Sequence, residues 1–470
     1  MKKTLSLLLA AVLLLSLCGC GKSVTAFPVH IEGSIFGGQS GDSLAAELRF
    51  DPKWMTSADN RKYSPELAAF SALLCADTYY REKDLAKGTQ NRVLFDGSTT
   101  EYGYTAFLET VGFTDVQRIE SFRVKEYDSD SNDSVTMTLG YRNVDGKYDA
   151  FVVALRGCFS AQEWLSIFDP GSDSDGYTSY TGEHPEWTDR RQFKGLNIAA
   201  NRADEFLKEF IAAHDDPDRK NCVLLTGHSR GGALANILGA ELEQAGDAKT
   251  FTYTFNAPPV TEDPDAGKCK TVFNLFDSRD FYTDPLPFGA EHFLRYGHDL
   301  TVQLSDSDKA MNALSALVGR DDYNAASDDV LKNYRTQFAA RFSTRKSLYE
   351  TQTVTETFST QAEAETRLSE CQTLIGAEAG LGLESLCTMG SIEKAADGTF
   401  TLCMEYCPAA LITAYSKVLS YGSAANDAVQ ALFRADESGC AIASLLNDHL
   451  AELSAGHRLA NGYILSGYVK

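Results

Sequence analysis

The strongest chemical signal in the sequence is a serine between glycines, where residues 227–231 read G-H-S-R-G. This G-x-S-x-G pattern is typical of a sharp strand-to-helix turn that exposes a nucleophilic serine, here Ser229. The pattern alone is weak evidence, because glycine and serine are common residues. A glycine-rich turn in some other α/β protein is the alternative interpretation.

The residues on both sides of this turn supply the context that a nucleophilic serine requires. Residues 222–225 read C-V-L-L, a short apolar run of the kind found in a strand buried on both faces of a parallel sheet. After the turn, apolar residues recur at helical spacing until Gly246 ends the pattern. The helix so predicted would point free N–H groups and its positive dipole end toward an oxyanion formed beside Ser229.

The length and charge of the chain limit the possible functions. Its 470 residues suffice for a large core, so we expect either one catalytic domain with a sizeable insertion or two domains. The formal net charge of −22 argues against a nucleic-acid partner, because a phosphate backbone would be repelled. Such an acidic surface is typical of a soluble secreted protein.

The N-terminus carries the features of an export signal. Two lysines precede an apolar run over residues 5–17, which is too short to span a membrane. Cys20 follows, with Gly19 before it and Leu17 three positions back, and this arrangement resembles the lipobox of bacterial lipoproteins. The resemblance implies that Cys20 is acylated and anchors the chain to the bacterial cell membrane on its extracytoplasmic side. A plain signal peptide with incidental cysteines is the alternative.

The remaining cysteines give no sign of a metal site. Nine lie beyond Cys20, and an odd number cannot all pair in disulfides. Cys75 falls in a helical apolar pattern and Cys222 in the buried strand, so we interpret most of them as small buried hydrophobic residues. No metal and no organic cofactor is expected.

A second motif connects the chain to a known family. Residues 152–165 read V-V-A-L-R-G-C-F-S-A-Q-E-W-L, which resembles the strand and turn of class 3 lipases, the fungal-lipase-like branch of the α/β-hydrolases. In that family the strand ends in Arg-Gly-Ser/Thr, and the residue after Arg-Gly supplies an oxyanion-hole N–H. The resemblance implies that role for Cys158 and for the backbone N–H of Arg230. Cys158 lacks the hydroxyl of the usual Ser or Thr, so the hole is expected to be weaker or differently arranged.

The same resemblance implies the acid of a catalytic triad. Residues 270–276 form a predicted strand, and residues 277–287, D-S-R-D-F-Y-T-D-P-L-P, are similar to the family segment that carries the triad aspartate. Asp280 matches that position best. Asp277 and Asp284 are the alternatives.

The family's chain order of Ser, Asp and His implies His457 as the general base. His457 follows a glycine and precedes the last predicted helix, as the family histidine does. His449 and His298 are the alternatives. His228, the variable residue of the G-x-S-x-G turn, is expected to pack beside the serine without removing its proton.

Together these features predict an α/β-hydrolase fold, with a mostly parallel sheet flanked by helices and a helical insertion, or cap, before the C-terminal histidine segment. A helix is predicted from Pro65 with Ser64 as its N-cap, and residues 134–143 predict an antiparallel or edge strand. We expect a signal peptide at 1–19, a lipid anchor and tether at 20–62, a hydrolase core at 63–300, a mostly helical insertion at 301–440 and the C-terminal part of the core at 441–470.

The predicted function is carboxylic ester hydrolysis, as a triacylglycerol lipase or esterase. Ser229 would attack the ester and form an acyl-enzyme, with His457 as base and Asp280 orienting it. A phospholipase on the same scaffold is one alternative. A non-catalytic surface lipoprotein that binds ligands through a hydrolase fold is another, and Cys158 and Asn256, where the family has Ser or Thr and Gly, give it some weight.

Overall fold

The computed structural model describes residues 26–32, 43–79, 92–95, 106–121, 134–158, 163, 192–277, 293–302, 352–377 and 387–406. Three sheets are present in these ranges. The central sheet carries Ser229, and the other two are small and antiparallel.

The first small sheet takes two of its three strands from the segment that the sequence predicted to be a tether. It consists of β1 (Ala26–Glu32), β2 (Ser43–Arg49) and β3 (Arg92–Phe95) in the order β2-β1-β3. After β2, Phe50 is buried and stacks on Phe70 with ring centroids 4.0 Å apart, and Met55 in the short helix α1 (Lys53–Ser57) is fully buried. The folded core therefore begins before residue 63, because the apolar side chains at 50 and 55 fill space that the later elements leave open.

The central sheet has seven strands in the described part of the chain. Their order is β10-β9-β8-β7-β6-β5-β4. The pairs from β6 through β10 are parallel, and β4 and β5 are antiparallel to their neighbours. The strands are β4 (Asp115–Ser121), β5 (Val135–Val144), β6 (Tyr148–Leu155), β7 (Lys220–His228), β8 (Lys249–Phe255), β9 (Val272–Asp277) and β10 (His298–Val302).

The predicted strand at 134–143 is β5, and it is antiparallel as expected, although β4 lies outside it at the sheet edge. The hairpin from β5 to β6 turns at Asp145 and Gly146, whose φ angles are 55° and 69°. An Asp-Gly pair favours these left-handed values and matches the twist of the two strands. Beyond this hairpin the connections cross over and the strands run parallel.

Helices cover both faces of the central sheet. On one face lie α2 (Pro65–Asp77) and, near it, α3 (Ala106–Thr110); on the other lie α4 (Lys194–His214) and α5 (Arg230–Ala245). Neighbouring residues of β8 show the two faces: the Tyr253 hydroxyl accepts a hydrogen bond from Ser64 N at the start of α2, whereas Thr252 packs against Gly239 of α5. Successive strand residues point to opposite faces, so one face of the sheet packs on α2 and the other on α4 and α5.

Helix α2 begins as the sequence predicted. Ser64 Oγ accepts a hydrogen bond from Leu67 N at 3.2 Å, and Pro65 occupies the first helical position, where a missing N–H has no cost. The helix is buried almost all round, and it lies along β7, where Cys75 Sγ and Thr226 Oγ1 are 3.0 Å apart. Cys75 and Cys222 are both fully buried, in agreement with their interpretation as small core residues.

A buried amide network joins α5 to β9 and to the segment before β10. Asn236 Nδ2 donates to Asn274 Oδ1 at 2.8 Å and to Tyr296 O at 2.9 Å, and Asn274 Nδ2 donates to the same Tyr296 carbonyl. Thr254 Oγ1 also donates to Asn274 Oδ1, at 2.7 Å. Because each buried amide is hydrogen-bonded, the network holds β9 in place with respect to α5.

The segment 301–440 was predicted to be a mostly helical insertion, and its described part contains strands as well as a helix. It contains β11 (Gln352–Phe358), α6 (Gln361–Ala377), β12 (Cys387–Lys394) and β13 (Phe400–Tyr406), with the strands in the order β11-β13-β12. Arg367 of α6 is buried and donates from Nε and Nη2 to both carboxylate oxygens of Glu356 in β11. The alternating β-branched residues of β11 favour a strand, and this bidentate ion pair fixes the helix on it.

The order of the central sheet, the crossover helices on both faces and the strand-turn-helix at Ser229 make this an α/β-hydrolase fold, as predicted. Among the described helices, none combines the length and apolar character that crossing a bilayer requires.

Candidate active site

Ser229 lies in a strained turn between β7 and α5. Its φ of 56° and ψ of −127° fall in a region that residues with a side chain rarely adopt. Two hydrogen bonds hold this backbone: Ser229 N donates to Phe255 O at 2.9 Å, and Ala233 N donates to Ser229 O at 3.0 Å. The serine therefore stands between the end of the strand and the positive end of the α5 dipole, as its motif predicted.

The glycines of the turn are needed because backbone lies where a side chain would be. A Cβ on Gly227 would clash with the carbonyl of Gly231, and a Cβ on Gly231 would clash with the carbonyl of Leu155 at the end of β6. A Cβ on Gly232 would lie 2.9 Å from Ala257 Cβ. Helix α5 can thus approach β6, β7 and β8 closely only because these positions have no side chain.

A further glycine, Gly157, brings the end of β6 beside the serine. A Cβ on Gly157 would clash with Tyr79 Oη, and it would lie 2.8 Å from His228 O and 3.2 Å from Ser229 Cβ. The Arg-Gly-Cys segment that the sequence assigned to the oxyanion hole therefore adjoins the nucleophile. Parallel strands place the ends of β6 and β7 at one edge of the sheet, which accounts for this proximity.

A buried ion pair shapes the segment that follows Gly157. Arg156 Nη2 donates to Glu163 Oε1 at 3.0 Å, and both side chains are buried. Cys158 Sγ donates to the Glu163 carbonyl oxygen at 3.4 Å. Desolvation raises the pKa of the Cys158 thiol well above its ordinary value, which favours its protonated form.

The residue before the serine is held by a tyrosine. Tyr79 Oη and His228 Nδ1 are 2.8 Å apart and share a hydrogen bond, and both residues are buried. The rings meet edge to face with centroids 5.8 Å apart. His228 thus packs beside Ser229, as expected, and its Nδ1 faces Tyr79.

A buried carboxyl lies just before this tyrosine. Asp77, the last residue of α2, is 4% exposed, and its Oδ2 has no hydrogen-bond partner among the described residues. Burial raises its pKa to about 8, and the charge of Arg118 acts in the opposite direction. The Arg118 side chain is itself buried and donates to Thr78 O at 2.8 Å, and burial lowers its pKa to about 10.

Arg230, the second oxyanion candidate, is the first residue of α5 and is almost completely buried. Its Nη2 donates to Ser134 O at 2.8 Å, just before β5. The guanidinium therefore anchors the start of α5 to the antiparallel part of the sheet, and the side chain points away from solvent. A role in holding an oxyanion would fall to its backbone N–H.

Ser229, Arg230 and Cys158 are thus brought to one edge of the sheet. Asp280, His457 and Cys20 lie outside the described residues, as do the alternatives Asp284 and His449. Strand β9 ends at Asp277, three residues before Asp280, and it runs parallel to β7 two positions along the sheet. His298, the remaining alternative base, begins β10. Among the described residues, no group of His, Cys, Asp or Glu is arranged to hold a metal ion.

Asn256 lies where the class 3 lipase pattern has glycine, and its backbone conformation explains why asparagine is accommodated. Asn256 follows β8 with a φ of 48°, its N donates to Leu275 O at 2.9 Å, and the residue is fully buried. Glycine is the usual residue in this left-handed conformation, and asparagine is one of the few others that adopt it at low cost. The substitution is therefore compatible with an intact turn beside the serine.

One comparison with known proteins covers this part of the chain. Residues 152–284 match the model of a family described as lipase (class 3). The match begins in β6, contains Ser229, Arg230, Cys158 and Asp280, and ends before His457. It supports a lipase or another ester hydrolase for this part of the chain. None of the curated proteins matches the chain significantly.

Solved structures of lipases are similar to part of the chain. A fungal lipase in complex with an inhibitor has 19% identity over 53% of this chain and 83% of its own, with a TM-score of 0.34. The Rhizomucor miehei lipase in complex with its propeptide has 19% identity over 50% and 67%, with a TM-score of 0.32. The Lip2 lipase from Yarrowia lipolytica has 16% identity over 51% and 78%, with a TM-score of 0.31.

The packing around Gly157 leads to a stability prediction. Gly157→Ala should lower the free energy of unfolding by about 1 to 3 kcal/mol, because its Cβ meets the backbone of His228 and the buried Tyr79 hydroxyl. Urea unfolding of both proteins measures the change. Gly267→Ala is the matched control, since its Cβ would have no heavy atom of the described part of the chain within 4 Å. Equal effects of the two substitutions would contradict the packing described here.

Asp77 leads to a prediction about pH. Its pKa is about 8 in the folded protein, against an ordinary value of ~3.9, so the folded state binds more protons across this interval. The contribution of Asp77 to the free energy of unfolding should therefore fall as pH rises from about 4 to about 8. Asp77→Asn cannot ionise and should make stability less dependent on pH. Urea unfolding at about pH 5 and about pH 8 measures the slope.

Asp145→Asn is the control for this measurement, because Asp145 is exposed and asparagine suits its turn. It should leave the slope unchanged. The same slope in wild type and Asp77→Asn would show that Asp77 does not titrate across this interval.

Proposed function

We propose that the chain is a serine ester hydrolase of the lipase or esterase type, with Ser229 as nucleophile, His457 as general base and Asp280 as the acid that orients it. The observation that carries the proposal is the strained Ser229 at the end of β7, beside the Gly157–Cys158 segment and at the start of α5. The class 3 lipase match over residues 152–284 supports the same chemistry.

The proposed reaction has two halves. Ser229 Oγ attacks the ester carbonyl carbon while His457 takes its proton, and the backbone N–H groups of Arg230 and Cys158 hold the resulting oxyanion. The carbon–oxygen bond to the alcohol then breaks, and His457 returns the proton to the leaving alcohol. Water repeats the sequence on the acyl-enzyme and releases the acid. One oxyanion donor contributes about 3 kcal/mol of barrier lowering, so the two backbone N–H groups would supply a large part of the rate enhancement.

The central prediction is that Ser229→Ala abolishes ester hydrolysis. In the chain from Gly21 onward, we expect kcat for p-nitrophenyl esters to fall by at least about 1,000-fold, because no other group supplies the nucleophile. Ser359→Ala, which changes an exposed serine of the insertion, should hydrolyse them at the wild-type rate. A series of esters from short to long acyl chains, with detergent-dispersed phospholipid, separates esterase, lipase and phospholipase. If wild type is inert on every substrate, the binding-lipoprotein alternative is favoured.

The same proposal places the enzyme on the extracytoplasmic face of a bacterial cell membrane, anchored through Cys20. The residue pattern around Cys20 supports this location. Expression in a bacterium fed an alkyne-labelled fatty acid should label the wild-type protein and leave Cys20→Ala unlabelled. Cys18→Ala is the control and should keep the label, because Cys18 has leucine instead of a small residue before it. Equal labelling of wild type and Cys20→Ala would contradict the anchor.

A further inference from the structure

We propose that Tyr79 is a positioning residue for the nucleophile, acting through His228, which immediately precedes Ser229. This inference rests on the proposed function, since it concerns the reactivity of Ser229. The geometry that carries it is the 2.8 Å hydrogen bond between Tyr79 Oη and His228 Nδ1. His228 is covalently joined to Ser229, so a shift of its side chain and backbone changes where Ser229 Oγ points.

The packing of α2 on β7 places Tyr79 beside His228. Cys75 contacts Thr226, and four residues later Tyr79 contacts His228, two residues further along the strand. Four residues of helix rise about 6 Å and two residues of strand about 6.7 Å, so the two elements stay in register. Tyr79 N donates to Ala76 O at 3.2 Å, which keeps this register beyond the last residue of the helix.

Gly157 joins the pair to the oxyanion segment. Because Gly157 has no side chain, Tyr79 Oη, His228 O and Ser229 Cβ can all lie close to the position that its Cβ would take. The tyrosine hydroxyl therefore lies against both the strand end that carries Cys158 and the turn that carries Ser229. The Tyr79 side chain thereby sets the separation between Ser229 and the proposed oxyanion donor, Cys158 N–H.

Because Tyr79 and His228 are buried, loss of the hydrogen bond between them should disturb the site. Tyr79 and His228 are each 3% exposed, so solvent cannot replace the tyrosine hydroxyl at His228 Nδ1 when it is removed. A polar ring nitrogen deprived of this partner favours a different ring position, and a strained backbone such as that of Ser229 keeps its conformation only while its surroundings hold it. Displacements of about 1 Å at a reacting group cost roughly 100-fold in rate.

The test is a double-mutant cycle on the chain from Gly21 onward. Tyr79→Phe should lower kcat by about 10- to 100-fold with KM within about twofold, because substrate contacts are unchanged. It should slow covalent labelling of Ser229 by a fluorophosphonate by a similar factor. In the His228→Leu background the same tyrosine change should have little further effect, because the group through which it acts is gone. His228→Asn, which keeps a polar atom near the Nδ1 position, should be milder than His228→Leu.

Tyr141→Phe is the matched control. Its hydroxyl also donates to a protein group, Asp149 Oδ1 at 2.9 Å, but Asp149 lies near the start of β6, at the opposite end of that strand from Gly157. It should leave the labelling rate unchanged. Thermal unfolding of every variant separates loss of stability from loss of reactivity, since a purely structural role would lower Tm without changing the labelling rate of the folded protein.

The outcomes separate this proposal from the proposed function. If no ester is hydrolysed but Ser229 labels, and Tyr79→Phe slows the labelling, the positioning role stands and the ester substrate is wrong. If esters are hydrolysed through Ser229 and Tyr79→Phe matches wild type, the positioning role is wrong and the function stands. The positioning role is also wrong if the double variant loses kcat by the product of the two single losses, because the two side chains would then act independently. A wild-type Ser229 that never labels overturns both.

Discussion

The close approach of α5 to the sheet is the constraint on which the rest of this site depends. Backbone atoms of Gly227, Gly231 and Leu155 occupy the space that side chains would fill, so the helix starts directly above the strand ends. That approach forces Ser229 into its left-handed conformation and directs the N-terminal amides of α5 at the same spot. A nucleophile and an electrostatic site for an oxyanion thus result from one steric arrangement.

Several buried polar side chains form a layer beneath the Ser229 turn. Arg156 and Glu163 shape the segment after β6, Arg230 anchors the start of α5, and Tyr79 holds His228. Burying such groups is costly unless they are paired, and the contacts described here pair them. We interpret the layer as the rigid support that keeps a strained serine in place, with Asp77 protonated at its edge.

Much of this could be predicted from the sequence because the signals are local. The apolar run before the G-H-S-R-G turn, the helical spacing after it and Gly246 as the stop correspond to β7, α5 and its cap. The Ser64-Pro65 start of α2 was predicted for the same reason, since capping depends on neighbouring residues. The strands of the insertion were not predicted, because a short strand such as β11 gives a weak local signal and its pairing partner β13 lies far along the chain.

The sequence by itself determined which residue is strained, which glycines surround it and which strands and helices carry them. Only the tertiary structure decided that Tyr79 meets His228, that Glu163 pairs with Arg156 and that Phe50 belongs to the core. The first set follows from backbone sterics and periodicity, which act within a few residues. The second depends on how α2 lies along β7 and how the chain returns after β6. Such packing joins residues that are far apart in the chain, as Tyr79 and His228 are, at a separation of 149 positions.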